Sequence, residues 1–437
     1  MFHETQLARS KLTRWTADPG FWSMADQAVV SAGNFVTAIL LARAIAPSEY
    51  GIFALIYALM LFMVSVHSAL VAYGLSLQGA AGTDSELQYL TGGSLGLTAG
   101  LGTALGTATG VVAVFFHRAS LLPWILLALL FWQLQETARR ALMSRLRHRD
   151  AIWGDALSYL GQAACVGYLC VGHRLTLASA FGAMAGTSMA GLLLQMVQLK
   201  LSAVHFSGTL RLLPRFWGLG RWALLANVAQ GFMGQALLWF LALAGMAEVA
   251  AFQAVLNLLR VGNPVMFAVG SVVLPSVAIG QGNSIDGLQA AKRYSLLGSA
   301  VLLPYLGFIF IAPGFLLRLL YGAGSVYSGL GLELRILVLG FGFVYFGHVL
   351  GSYFYGLARS DIVLRCQAVA AIATVVAGAV LAVRFGVLGA AIGYDLSALA
   401  LAVAFIWFLR RGFVTYAPTG LAVGSGTNRL TAKSERG

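Results

Sequence analysis

The chain has 437 residues, 59% of them hydrophobic and only 10% charged, with a formal net charge of +13. So apolar a composition excludes an ordinary soluble domain and a disordered chain. The positive balance does not point to nucleic acid either, because no compact soluble basic domain is present to carry such a surface.

Long apolar runs recur from about Phe21 to Phe408. A bilayer core of about 30 Å takes about 20 apolar residues per helical span. Twelve spans are predicted, at 21–42, 51–74, 92–116, 121–138, 152–171, 177–198, 222–244, 250–279, 295–317, 334–356, 366–383 and 388–409. Runs of this length are helices, since lipid leaves no other partner for the backbone. Residues 1–20 are polar and basic, which predicts an interfacial N-terminus with Trp15 and Trp22 at headgroup level rather than a cleavable signal.

The basic residues sort to one side of these spans. Arg9, Lys11 and Arg14 precede span one, and Arg139, Arg140, Arg145, Arg147 and Arg149 lie between spans four and five. Lys200, Arg211, Arg215 and Arg221 precede span seven, Lys292 and Arg293 span nine, and Arg359 and Arg365 span eleven. With Arg410, Arg411, Arg429, Lys433 and Arg436 in the tail, 21 of the 28 Lys and Arg share one face. Cytoplasmic segments collect such residues, so both termini are expected inside. The expected organisation is an N-lobe at 21–198, an amphipathic linker at 199–221, a C-lobe at 222–410 and a disordered tail at 411–437.

Several chemistries have no residues to support them. No GxxxxGK[ST] loop is present, no Asp-x-Asp pair for a sugar nucleotide, and no cluster of acids and His at metal-ligand spacing. Cys165, Cys170 and Cys366 have no CxxC spacing and read as packing residues. The short loops leave no room for an external catalytic domain. Transport without an attached motor or resident cofactor is the expectation.

The chain also echoes itself. LARAIAPSEYGIFAL follows span one and LALAGMAEVAAFQAV follows span seven, with Glu49 four before Phe53 and Glu248 four before Phe252. Trp22 and Trp222 open the two spans. Arg149-Asp150-Ala151-Ile152 before span five pairs with Arg359-Ser360-Asp361-Ile362 before span eleven. A parallel repeat of six spans plus six follows, which places a substrate site between two lobes.

Polar residues inside spans are costly and point to function. In span eight Gln253, Asn257, Arg260 and Pro264 fall within about 60° of one another around a helix. Arg260 has no acid at i±3 or i±4. Its planar donor fork suits phosphate or pyrophosphate; a counter-ion on another helix is the structural alternative. Pro264 is expected to bend the helix. Gln27, Ser31 and Asn34 in span one and Asn227, Gln230 and Gln235 in span seven suit either a sugar or a tie between helices, as do Tyr345, His348 and Ser352 in span ten. Asp26, His67, His348 and Asp395 are candidates for coupling to Na+ or H+, with helix–helix bonding as the alternative. Span three, TGGSLGLTAGLGTALGTATGVV, suits either sliding helices or close static packing.

Asp26-Gln27 with Asn34, LARAIAPSEYGIFAL, AAFQAVLNLLRVGNPVMFAVGSVVLPSVA, LLRLLYGAGSVYSG and RFGVLGAAIGYDLS occur in an order and span placement that resembles a known family. It is the Wzx-type polysaccharide (O-antigen and exopolysaccharide) flippases of the multidrug/oligosaccharidyl-lipid/polysaccharide exporter superfamily. The resemblance covers most of residues 20–410 and implies twelve helices in two six-helix lobes around a cationic cavity. It further implies flipping of undecaprenyl-pyrophosphate-linked oligosaccharides in the bacterial inner membrane, by a monomer that meets membrane lipids and other polysaccharide-assembly proteins. By resemblance to the lipid II flippases of that superfamily, Arg43, Glu49 and Arg260 match charged positions important there, with Arg43 on the cargo and Glu49 in gating. The basic residues those proteins carry earlier in span one and in span two have no counterpart here, nor do their two extra C-terminal helices. The rival expectations are a cation-coupled multidrug exporter of the same superfamily, a major facilitator, a membrane-embedded glycosyltransferase or polymerase, and a non-transporting scaffold. The segment 75–91 has no Lys or Arg, which argues against the major facilitators.

Overall fold

The computed structural model describes residues 19–79, 83–201, 206–279, 284–357 and 359–411, and all regular structure among them is helical. In the first half the helices are α1 (Pro19–Ala44), α2 (Pro47–Gly79), α3 (Asp84–Phe115), α4 (Leu122–Ser144), α5 (148–171) and α6 (Leu177–Gln198). The second half has α7 (Phe206–Leu241), α8 (Met246–Arg260), α9 (Asn263–Ile279), α10 (Ser284–Ile311), α11 (Pro313–Tyr321), α12 (Gly331–Gly356), α13 (360–385) and α14 (387–410). A helix lies on every interval expected from the sequence. Among the described residues eight helical stretches are long and apolar enough to cross a membrane, α13 and α14 together counting as one, and α8 with α9 makes a ninth if the bent pair is one span.

Local chemistry sets the boundaries. α3 opens on a capping box, in which Thr83 Oγ1 accepts from the Glu86 amide at 3.3 Å and the Glu86 carboxylate accepts from the Thr83 amide at 2.7 Å. Proline at the first turn starts α2, α4 and α11, where its missing N–H costs nothing. Pro313 also cuts short the ninth span, expected to run to 317; it ends at Ile311 and a separate helix follows. That helix, α11, buries Leu317 and Tyr321 and leaves Phe315 and Leu319 exposed.

Two further boundaries differ from expectation. The linker at 199–221 is not separate from span seven, because α7 runs unbroken through both, with Pro214 inside it. Leu212 and Phe216, one turn apart, are buried on the first half of the chain, where Phe216 packs on Gly74 and Thr209 donates to the Gly93 carbonyl at 3.2 Å. The fourth span continues past 138 to Ser144, which carries Arg139 and Arg140 into the helix rather than a loop.

The two halves use the same pairings. α1 packs on α5, α3 on α4, and α4 and α5 on α6; likewise α7 packs on α13, α10 on α12, and α12 and α13 on α14. Both α5 and α13 contain a π-helical turn, at Ala156–Leu160 and Thr374–Gly378. Glu248 accepts from the Val387 amide at 2.8 Å, beside the break at Gly386 that separates α13 from α14. Its counterpart Glu49 instead pairs with Arg118. Gly102, Gly106 and Gly110 of α3 lie against Leu130, Leu126 and Leu122 of α4, so that stripe serves close packing. The halves meet where α2 packs on α8 and α7 packs on α2 and α3.

Candidate functional site

A cavity of about 380 Å³ lies between the halves, walled by α1, α2, α5, α7, α8 and the start of α9. The span-eight stripe faces it as its periodicity requires, with Gln253, Asn257 and Arg260 all on the lining. Gln253 donates to Asn257 Oδ1 at 2.9 Å, and Asn257 donates to the Tyr50 hydroxyl at 2.9 Å. Gln27, Ser31 and Asn34 of α1 line the opposite wall with Gln162 and Gln235. The Tyr57 hydroxyl reaches Asn34 Oδ1 at 3.4 Å. Arg260 ends α8, and the chain then bends by 51° into α9. Pro264, on α9, fits the expectation of a bend here. The break places a guanidinium at cavity depth where a continuous helix would carry its next turns past it.

Arg260 has no ion-pair or hydrogen-bond partner among the described residues, and the ionisable groups around it are the phenols of Tyr57, Tyr50 and Tyr394. Among the described residues, no Asp or Glu is on the cavity lining. The structural alternative, a counter-ion from another helix, is therefore absent among the described side chains. A half-buried guanidinium without a counter-ion is costly, and it offers its full donor set to an incoming anion.

Asp26, next in the chain to the lining residue Gln27, is not on the cavity lining. It is fully buried on α1 and meets Arg139 at 2.5 Å. Arg139, itself buried, also meets Asp155 at 2.5 Å and Glu136 at 3.0 Å, while Arg140 pairs with Glu136 at 2.5 Å. Gln135 and Gln195 both donate to Asp155, at 2.6 and 3.3 Å. Three carboxylates thus stand against two guanidiniums inside the first half. Sequence reasoning placed Arg139 and Arg140 among loop charges and missed this cluster; the signal was Glu136 at i−3 and i−4 of the two arginines, beside Gln133 and Gln135.

The other candidates fall elsewhere. Arg43 is exposed at the end of α1, off the cavity lining, because α1 ends beyond the cavity wall. Glu49 is also outside, at the start of α2 and paired with Arg118. His67 is buried between Thr98 and Thr137, both at 3.1 Å, and ties α2 to α3 and α4. Asn227 donates to the Ser65 carbonyl at 3.3 Å and ties α7 to α2. Gln230 lies outside the described side chains. His348 and Ser352 line a second cavity of about 380 Å³ within the second half, with Gln367, Thr374 and Ser397. Tyr345 leaves that group and donates to the Ser295 carbonyl at 2.7 Å. Asp395 lies against Gly340 on a shallow apolar surface between α12 and α14, away from the central cavity.

The central cavity continues into a cleft of about 730 Å³ between α1, α9 and α10, with Gln27 and Phe267 common to both. Ser23, Met24 and Ala28 form one side of this cleft, Pro264, Ala268 and Val272 another, and Arg140 also lines it. The opposite end of the cavity is closed. Tyr50 and Tyr321 each pack edge-on against Tyr327, with ring centroids 6.3 and 5.2 Å apart, and a Cβ at Gly51 of α2 would run into the Met246 carbonyl at the start of α8.

No protein-family model matches the chain, and no curated protein does. Solved structures do. An inward-facing multidrug resistance MATE-family transporter of the MOP superfamily has a TM-score of 0.72 at 17% identity, over 87% of this chain and 93% of that one. The lipid II flippase MurJ, in an inward closed conformation, has 0.70 at 12%, over 89% and 87%. A MOP-superfamily transporter from Pyrococcus furiosus has 0.61 at 16%, over 90% and 94%. The fold is that of MOP-superfamily transporters, and the chain is a multi-pass membrane protein.

Proposed function

We propose that this chain flips polyprenyl-pyrophosphate-linked oligosaccharides, of the undecaprenyl kind, across the bacterial inner membrane for surface polysaccharide synthesis. The observation that carries this is a central cavity whose charge, among the described residues, is the unpaired guanidinium of Arg260, with amide side chains around it and no described carboxylate on its lining. A pyrophosphate needs a cation to replace its water, and a sugar needs amides and hydroxyls. The cleft lets a polyprenyl tail remain in lipid while the head group occupies the cavity. By the charge rule the cleft opens on the cytoplasmic half, where such lipids are assembled. Alternating access would then close the cleft and open the tyrosine-sealed end. No catalytic constellation is involved, and a monomer suffices.

Coupling to Na+ or H+ belongs to the same reading. The cluster of Asp26, Glu136 and Asp155 around Arg139 and Arg140 sets three carboxyl groups against two guanidiniums, and a proton or a Na+ ion would balance it. A second reading, a cation-coupled multidrug exporter, draws on the aromatic wall of Phe35, Tyr50, Phe53, Tyr57 and Phe267 and on the MATE-like fold. Arg260 favours the anionic cargo over it, because a guanidinium repels a cationic drug.

The test is flipping of a fluorescent polyprenyl-pyrophosphate sugar in proteoliposomes. Wild type is expected to expose the label on the far face, Arg260→Ala to lose at least about tenfold in rate, one lost charged contact of about 1.5–3 kcal/mol, and Arg260→Lys to recover part of it. Accumulation of a cationic dye by wild type, with no movement of the lipid, would replace this reading with the exporter.

A further inference from the structure

Arg140 is outside the central cavity but lines the cleft that leads to it. It extends from α4 one residue beyond the buried Arg139, and its side chain keeps 41% exposure. Its Nε is engaged by Glu136 Oε1 at 2.5 Å, and among the described residues its terminal nitrogens have no partner. Glu136 is in turn fixed through its other oxygen by Arg139 at 3.0 Å. The guanidinium is therefore held in direction along one edge, with the other edge free towards the cleft. Ser23, Gln27, Ser271 and Tyr294 are the other polar residues of the cleft lining, which has no carboxylate among the described residues.

The two arginines differ in one respect that matters for an anion. Arg140 is half-neutralised by Glu136, while Arg260 has no counter-ion among the described residues. An anion at Arg140 is attracted by a partly compensated charge, and one at Arg260 by an uncompensated charge in a more enclosed site. Gln27 lines both spaces and offers an amide donor between them. Resting on the flippase reading above, we propose that Arg140 is a docking site for the phosphates of the incoming lipid-linked anion, which then pass by Gln27 to Arg260. The ion pair with Glu136 both aims Arg140 and keeps its hold weak enough to release. A second strong site at the mouth of the cleft would trap the head group instead of loading the cavity.

The test separates arrival from retention. A fluorescent geranyl pyrophosphate is mixed by stopped flow with the full chain in phosphatidylcholine nanodiscs. Arg140→Gln is expected to slow association about tenfold with dissociation unchanged, as loss of a peripheral steering charge does. Arg140→Lys should retain most of the rate, and Arg260→Gln should speed dissociation instead. Glu136 keeps Arg139 as a partner in Arg140→Gln, so its melting temperature should match wild type; a variant that melts lower is replaced in the comparison by Gln27→Leu, which removes the intermediate donor and should slow loading likewise. Association of both variants at the wild-type rate overturns the docking role and leaves the proposed function standing. So does a change in dissociation alone. If anionic phosphatidylglycerol in the nanodisc slows wild type to the Arg140→Gln rate, the site is filled by bilayer phosphate and the docking role falls. If wild type takes up only a trimethylammonium analogue, and Arg140→Gln speeds its arrival, the flippase reading falls and the docking site with it.

Discussion

Arg260 and Arg139 both belong to helices, Arg139 buried and Arg260 half-buried, and their surroundings give them opposite roles. Arg139 is surrounded by Asp26, Glu136 and Asp155, so its charge is spent inside the protein. Arg260 has no such partner among the described residues and faces a cavity. The spacing within one helix was enough to reveal the second but not the first. Gln253, Asn257 and Arg260 recur at helical period and had to share an interior face. Two of the three counter-ions of Arg139 come from α1 and α5, and Asp26 is 113 residues away in the chain, a contact that no local pattern encodes. An Arg-Arg pair at the edge of an apolar run reads as a loop. The cluster predicts an asymmetry in stability. Arg139→Leu strands the buried carboxylates of Asp26 and Asp155, while Glu136 keeps Arg140, and should cost about 3–5 kcal/mol. Asp26→Asn leaves two carboxylates against two guanidiniums, a balanced set, and should cost well under half of that. Denaturation in detergent, followed by tryptophan fluorescence, checks both; equal losses would mean that Arg139 serves packing rather than charge.

At the scale of the element, the periods of apolar residues located the helices because lipid demands long, continuous runs. They did not locate the joints, which depend on contacts. The eighth span is two helices at 51°, and the linker and seventh span are one helix held by Leu212 and Phe216. The seal between α2 and α8 is the joint with the most direct consequence. It needs glycine at 51, where the α2 backbone runs against the Met246 carbonyl, and it brings Tyr50 to Asn257 at 2.9 Å. Gly51→Val puts three carbons into that contact. It should push α2 from α8 and shift the population towards an open seal, since a packed interface yields by separating rather than by compressing. Spin labels at Ser48 and Ala247, both exposed beside the seal, report the change. Wild type should give one short distance by electron–electron resonance, and Gly51→Val an added longer one. A single unchanged distance would show that the seal tolerates the side chain.

For the whole molecule, the two halves repeat the same helix pairings, and the space between them is open on one side and sealed at the other end. A cargo that is lipid at one end and sugar phosphate at the other constrains how such a space is used. Its tail cannot leave the bilayer without exposing apolar surface to water, and its head cannot enter the hydrocarbon without losing hydration. It must therefore arrive sideways, head first, through a lateral opening that reaches the cavity. The cleft between α1, α9 and α10 is such an opening, and it runs into the cavity past Gln27 and Phe267. A cationic drug in solution has no comparable need for it. Ala268→Trp fills the cleft from α9, where Ala268 is outside the lining of the central cavity and Arg260 is outside that of the cleft. With about 730 Å³ available, the indole should be accepted without loss of melting temperature. Flipping of the fluorescent polyprenyl-pyrophosphate sugar should fall at least about tenfold, the effect of roughly 1.4 kcal/mol on the barrier. Binding of inorganic pyrophosphate, small enough to pass beside the indole, should persist within about twofold of wild type. Flipping at the wild-type rate would mean that the cargo reaches Arg260 by another path and that the cleft is only a seam between helices.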